Sequence, residues 1–383
     1  MSWSFRHVGI NAVFLQPRMG GLETQTRALV PELMRLAPGV RFSVFVNPAG
    51  RELLAREDWA ADAELVTHPL LGRRGLRAAS ELTILGPIAT RRGVDTLYSL
   101  ALTAPLRTRA VNVVALADIT WIVAPDPDVG ATMRLWRTVV PPVARRADRV
   151  IAMSRDGARA IAEHLRVPRE RIDVVAPGHG LGELMAPTPA GELRERLRLG
   201  DGPLVLSVSQ KRPHKNLLRL VAAMVAVRER VPCAVLVLPG NPTEHERELR
   251  ARAAALGLAD AVRFPGYVSG ADLEGLYAEA SCFAIASVNE GFGLPILDAQ
   301  RRGVPVACSN ASALPEAAGP GAHFFDPYDE ADIARAIADL MCDRALAGRL
   351  VAAGREHQAA FTWERSAAAT LDSFERAWAG RRA

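Results

Sequence analysis

Only two lysines occur among the 47 lysines and arginines of this 383-residue sequence, and Lys211 and Lys215 sit four residues apart. In a chain that otherwise writes arginine, a surviving lysine points to a need for a compact ammonium on a flexible stem. Both lie in Ser207-Val208-Ser209-Gln210-Lys211-Arg212-Pro213-His214-Lys215-Asn216, between a buried-strand run and a helical one. Three cations at a strand-to-helix turn suit an anion held at a helix N-terminus. The plain alternative is two lysines fallen together on a solvated loop. A second string, Ser287 to Asp298, reads SVNEGFGLPILD. Gly291 and Gly293 allow a close backbone approach, Pro295 suits the first helical position, and the helix dipole favours a negative group there. Glu290 on the loop and Asp298 about one turn into the helix are placed to accept hydrogen bonds from hydroxyls. The competing reading is a tight turn with two solvated carboxylates.

These residues need strands to carry them. Apolar runs alternate with longer helical patterns throughout, the rhythm of parallel sheets with crossover helices. In the first half the strands are expected at 8–15, 42–46, 96–98, 111–116 and 149–153, with helices at 22–36, opened by Gly20-Gly21, and 129–146. A proline- and glycine-rich passage follows. The pattern restarts with strands at 204–208, 234–238, 262–264, 282–286 and 304–307. Helices are expected at 217–230, 244–256, 272–280, 295–302, 330–341 and 345–360, and an amphipathic helix at 363–379. The expected organisation is an α/β domain over 1–178, a linker region over 179–202, a second α/β domain over 203–362, and a terminal helix over 363–383 returning to the first domain. Two doubly wound sheets of this kind normally leave a ligand cleft between them.

Composition sets outer bounds. The chain is 49% hydrophobic and 23% charged, as in a globular protein with substantial cores. No apolar run reaches membrane-spanning length, and the start has no signal-peptide layout, so a cytoplasmic location is expected. Cys233, Cys282, Cys308 and Cys342 are far apart and read as buried thiols. The formal charge is +5. Arginines cluster at Arg73, Arg74 and Arg77, at Arg91 and Arg92, and at Arg145, Arg146 and Arg149. They form either a solvated surface, the favoured reading, or a face for peripheral contact with anionic membrane. Aromatics are only 5% and no nucleic-acid-binding motif accompanies the charge.

With these motifs in view, the chain resembles the retaining glycosyltransferases of family 4, and the resemblance covers nearly its whole length. The Glu290-Gly291-Phe292-Gly293-Leu294-Pro295 string is similar to the first half of that family's E-x7-E signature. Pro213-His214-Lys215-Asn216-Leu217 resembles its phosphate-binding lysine loop, and Gly266-Tyr267-Val268 a loop that meets the nucleobase. Gly20-Gly21-Leu22-Glu23 resembles the glycine loop of the first domain. Trp363, in Phe361-Thr362-Trp363-Glu364, marks the start of a C-terminal crossing helix. The resemblance implies the two-domain GT-B fold and transfer of a hexosyl group from a nucleotide-diphosphate sugar to an acceptor hydroxyl on a glycan, lipid-linked or small-molecule substrate. It implies no cofactor and no metal. Glu290 would hold hydroxyls of the transferred sugar, and amides around Phe292, Gly293 and Leu294 would meet sugar and phosphate oxygens. Lys215 would neutralise the leaving diphosphate. Gly20, Gly21, Tyr267 and Val268 would also line the donor site.

Three departures stand out. Asp298 replaces the closing glutamate of the signature. Gln210 stands where an arginine is usual, leaving Lys211 or Arg212 to partner Lys215. Ala117-Asp118 replaces a His-Asp pair, so Asp118 either positions the acceptor or caps the turn after its strand. Asp126-Pro127-Asp128 reads as a turn, not a metal site. His179 and His214 read as loop histidines or cleft contacts, and Glu316 as a support for the sugar-site loop. Two other classes stay open: an epimerase or non-glycosidic coupling enzyme on the same scaffold, and a binding homologue without catalysis.

Overall fold

The computed structural model describes residues 3–17, 19–71, 77–125, 130–179 and 185–382. The chain divides into two compact units, the first built chiefly from residues up to 179 together with 361–382, the second from 185–360. Among its described residues the first unit has seven strands: β1 (His7–Ala12), β2 (Arg41–Val46), β3 (Glu64–Val66), β4 (Thr96–Ser99), β5 (Val111–Leu116), β6 (Arg149–Ala152) and β7 (Ile172–Val174). They make one sheet in the order β3-β2-β1-β4-β5-β6-β7, every pair parallel. β1 and β5 are buried along their full length, as expected of strands covered by helices on both faces. The strand order reverses between β1 and β4, so the loops leaving their carboxyl ends can diverge around a ligand.

The helix Trp363–Arg382 belongs to this unit. Thr362 opens it by accepting from the Arg365 amide at 3.2 Å, and Gly178 lets it approach. A Cβ at Gly178 would lie 2.4 Å from the Trp363 nitrogen. The buried Leu371 and Phe374 join Phe5, Leu33 and Tyr98 in one core. Phe374 packs edge-on against both Phe5 and Tyr98, at 5.7 and 5.3 Å between centroids. Polar anchors fix its register: Ser373 donates to Asp173 at 2.7 Å, Arg376 meets the same carboxylate at 3.0 Å, and Trp378 donates to Thr96 at 2.8 Å.

The second unit holds β8 (Leu204–Leu206), β9 (Val235–Val237), β10 (Val262–Arg263), β11 (Ala280–Ile285), β12 (Val306–Ser309) and β13 (His323–Phe325). Again all pairs are parallel, in the order β10-β9-β8-β11-β12-β13. The reversal falls between β8 and β11. Helices Leu217–Arg230 and Glu330–Cys342 cover one face through Leu220, Met224, Ile333 and Ile337.

The two doubly wound sheets agree with the rhythm of the sequence, and several details differ from it, among them the unexpected helix Arg155–Leu165. The edge strands β3, β7 and β13 were not expected; each has three residues, one of them polar. Residues 190–197, expected within a linker, form a helix whose Leu193 is buried and whose Arg194 and Arg196 pair with Glu279 and Asp272 of the second unit. The terminal helix runs on to Arg382. Cys282 and Cys308 are buried as expected, but Cys233, in the turn before β9, and Cys342, the last residue of the helix Glu330–Cys342, are exposed. Asp126-Pro127-Asp128 and the arginines Arg73 and Arg74 lie outside the described residues, as does Gly180 beside His179.

Candidate functional site

The carboxyl ends of β8 and β11, the two strands at the reversal of the second sheet, carry both motifs. After β8 the chain passes through a short turn, Pro213–Lys215, into Asn216 at φ 56°, and then enters the helix Leu217–Arg230. Asn216 is buried, and its side-chain amide donates to the Ala286 and Pro327 carbonyls at 3.1 and 2.6 Å. The Val288 amide donates to the His214 carbonyl at 2.9 Å, tying the two loops together. This places the Lys215 ammonium on the Glu290 carboxylate, 2.6 Å from Oε1 and 2.7 Å from Oε2.

Glu290 is itself held in place. The Ser287 hydroxyl donates to Oε1 at 2.7 Å. The Ser312 hydroxyl donates to the Glu290 carbonyl at 2.9 Å and accepts from its amide at 3.2 Å. Burial works to raise the Glu290 carboxyl, but the Lys215 charge and these hydrogen bonds outweigh it and keep the group below the ordinary carboxylate range. Gly293 caps the following helix, Leu294–Arg301, at φ 118°, where a Cβ would lie 2.9 Å from the Leu314 side chain. The turn therefore requires glycine, and the positive end of the helix opens on the loop that carries Glu290. Phe292 is buried beneath it.

The other candidates of this unit take separate places. Lys211 has no exposed surface; its ammonium donates to the Gly240 carbonyl at 2.8 Å and meets Glu246 at 3.3 Å. Desolvation lowers its pKa, against the pull of Glu246. Gly240 in turn donates to the Gly266 carbonyl at 2.8 Å, so Lys211 braces the loop that presents Tyr267 and Val268. Tyr267 is 56% exposed at the tip of that loop. Arg212 caps the Pro213–Lys215 turn in extended conformation. Asp298 projects from the helix toward Arg302 at 3.4 Å, which also forks onto Glu274 and lies over the Tyr277 ring. Desolvation raises the Asp298 carboxyl despite Arg302. Ser287, Ser312 and Asn216 carry much of the geometry, yet the sequence assigned none of them a role, although Ser287 and Asn216 fall within the two strings. Glu316, expected to support the sugar-site loop, offers its carbonyl to His357 at 3.3 Å, and Ser312 of the same stretch holds that loop.

In the first unit, Gly20 lies at φ 72° and the helix Gly21–Leu36 begins beside it. Glu23 accepts from the Met19 amide at 3.1 Å, closing the turn. Asp118 accepts from the Thr120 amide at 2.8 Å and so caps the turn after β5. Behind these loops sits a carboxylate that the sequence did not advertise. Glu81 is fully buried, and Asn11 at the end of β1 donates to it at 3.1 Å together with the Thr103 hydroxyl. Among the described residues no group of three or more His, Cys, Asp or Glu side chains is arranged to hold a metal ion. No described helix is long and apolar enough to cross a membrane.

Comparison with known proteins agrees with this arrangement. The family model described as glycosyl transferases group 1 matches residues 191–357, and that described as Glycosyltransferase Family 4 matches residues 19–180. A D-inositol 3-phosphate glycosyltransferase of Streptomyces avermitilis is 32% identical over 63% of this chain and 54% of its own length. The serotype-specific mannosyltransferase WbdA of Escherichia coli is 30% identical over 60% of this chain and 29% of its own length. The chain thus spans about half the length, or less, of these curated relatives. Among solved structures, Anabaena HepE in complex with UDP and glucose superposes with a TM-score of 0.73 at 20% identity, over 96% of this chain and 100% of that one. The fold is the two-domain, Rossmann-like GT-B fold. With its two halves matched by the two models, the chain belongs to the group 1 glycosyltransferases of family 4.

Proposed function

We propose that the chain transfers a hexosyl group from a nucleotide-diphosphate sugar to an acceptor hydroxyl, with retention of anomeric configuration and without a metal. The observation that carries this reading is the Lys215–Glu290 pair at the carboxyl ends of β8 and β11. A lysine held by a carboxylate is charged and positioned, yet exchangeable. When the donor enters, its diphosphate takes the ammonium, and Glu290 turns its lone pairs to the sugar hydroxyls. Breaking the anomeric bond places charge on the leaving phosphate. Lys215 and the helix beginning at Leu294 oppose that charge most strongly in the transition state. The acceptor hydroxyl attacks the same face through an oxocarbenium-like state and passes its proton to the leaving phosphate. The Gly266-Tyr267-Val268 loop, braced through Lys211, meets the base. The curated relatives, named for transfer to an inositol phosphate and of mannose, support a sugar donor and a hydroxyl acceptor. Asp118, engaged with the Thr120 amide, serves the turn rather than the proton transfer.

The test is turnover with GDP-, UDP- and dTDP-sugars and a panel of glycan, lipid-linked and small-molecule hydroxyl acceptors, with the product followed by mass spectrometry and its anomeric proton by NMR. Lys215→Ala should lower kcat by about 10²–10³, the usual cost of losing one preorganised charge-stabilising group. Activity should survive chelating agents. Unchanged turnover in Lys215→Ala, an inverted anomer, or an epimerised donor without transfer would each defeat the reading.

A further inference from the structure

Away from the loops described so far, at the amino ends of β6 and β7, the first unit contains a cavity of about 300 Å³ lined by Arg146, Asp148, Arg149, Arg171 and Arg376, with Ala377 and Gly380 as its small wall. Two carboxylates serve these arginines, and both are already engaged. Asp173 accepts two bonds from Arg149, one from Ser373, and meets Arg376 at 3.0 Å. Asp148 is forked by Arg381 at 2.9 and 2.8 Å and accepts from the Asn112 amide at 2.7 Å. Arg171 spends one nitrogen on the Arg145 and Ala147 carbonyls, at 3.2 and 3.3 Å, which closes the end of the helix Gly130–Arg146 and orients the guanidinium. Glu375, next to Arg376 in sequence, is occupied by the Ser4 amide at 2.6 Å. Arg149 and Arg376 share the one Asp173 carboxylate, and Arg146 and Arg171 enter no ion pair among the described residues, so four arginines line one small volume with more positive than negative charge. Like charges gathered this way repel, and an anion among them relieves the repulsion. Arginine forks match phosphate oxygens two at a time.

We propose that this cavity is a binding site for a phosphate dianion, either free phosphate or a phosphomonoester headgroup. The anion bridges Arg146, at the end of one helix, to Arg376 on the helix Trp363–Arg382, and so locks that helix onto β6 and β7.

The experiment is calorimetric titration of the full chain with inorganic phosphate and with glycerol 3-phosphate, at ionic strength held constant with sodium chloride. Lys215→Ala is used as the background, so that the diphosphate site proposed above does not contribute. Saturable binding of one equivalent is expected, with slower amide exchange in residues 363–382. The double variant Arg146→Gln/Arg376→Gln leaves Asp173 its Arg149 and Ser373 partners and should weaken binding at least tenfold. If circular dichroism shows that variant unfolded, Arg146→Lys/Arg376→Lys keeps the charge, loses the fork and should show intermediate affinity. Co-sedimentation with phosphatidylcholine vesicles, with and without phosphatidic acid, separates the sources. Capture only by the acidic vesicles, lost in the arginine variant, identifies a lipid headgroup, whereas binding of the soluble ligands identifies a free phosphate. No binding in either arm, or binding indifferent to the arginine substitutions, overturns the site.

Discussion

Glu81 shows how a single buried charge reports on its surroundings. Desolvation raises its carboxyl pKa, and the Thr103 and Asn11 hydrogen bonds and Arg77 only partly offset this. A carboxyl whose folded pKa lies above its unfolded value gives its full stability below the unfolded value. It loses that stability as pH rises through the folded one. Glu81→Gln keeps an acceptor for Asn11 and Thr103 and removes the buried charge. The variant should therefore match the parent at acid pH and become the more stable protein as pH rises toward neutrality. Thermal melts across pH 4–8 check this, and a variant less stable at pH 7 than at pH 4 relative to the parent would refute it. The two lysines teach a related lesson. Lys215 is legible in sequence because its loop, its turn and the following helix are all local. The fate of Lys211 is not, since Gly240, on another loop, and Glu246, on the helix His245–Ala255, enclose it. Only packing shows that of two neighbouring lysines one faces a ligand loop and the other is a buried brace.

At the scale of elements, the lysine loop depends on Asn216. Its left-handed backbone is tolerated by asparagine better than by most residues, and its amide satisfies two buried carbonyls from separate strand ends. Asn216→Ala should cost about 2–4 kcal/mol, from backbone strain and two orphaned acceptors. Asn216→Gly should lose only the hydrogen-bonding share. Urea denaturation of both variants separates the two contributions, and equal losses would exclude the backbone part. Most long elements were readable from their periods: the helix Leu217–Arg230 falls where its pattern predicts and the main strands shift by only a few residues, although the helix Arg155–Leu165 was not expected. Three edge strands were not: β3, β7 and β13 each carry a polar residue (Glu64, Asp173 and His323) among three, whereas the wholly apolar Leu204–Leu206 and Val235–Val237 stand out at the same length. The helix Ala190–Leu197 was hidden for a similar reason. Its only buried side chain is Leu193, so it shows no apolar stripe.

For the molecule as a whole, the division of the chain matters more than any one contact. Residues 5–46 begin a core that Leu371, Phe374 and Ala377 complete. Asp173 fastens the late helix to early strands through Arg149, Ser373 and Arg376. Asp173→Ala would leave two arginines facing each other in a half-buried place and should cost about 3–5 kcal/mol in the first unit. Amide exchange, read unit by unit, should show the loss there while residues 185–360 keep their protection. Uniform loss across both units would contradict this. The position of residues 363–382 also orders events in time. On the ribosome the first unit's strands emerge early but wait, with the Phe5 and Tyr98 face uncovered, until the whole second unit has been synthesised. The unit translated first is the unit finished last, and during that delay the nascent chain is most exposed to chaperones, proteases and its own neighbours.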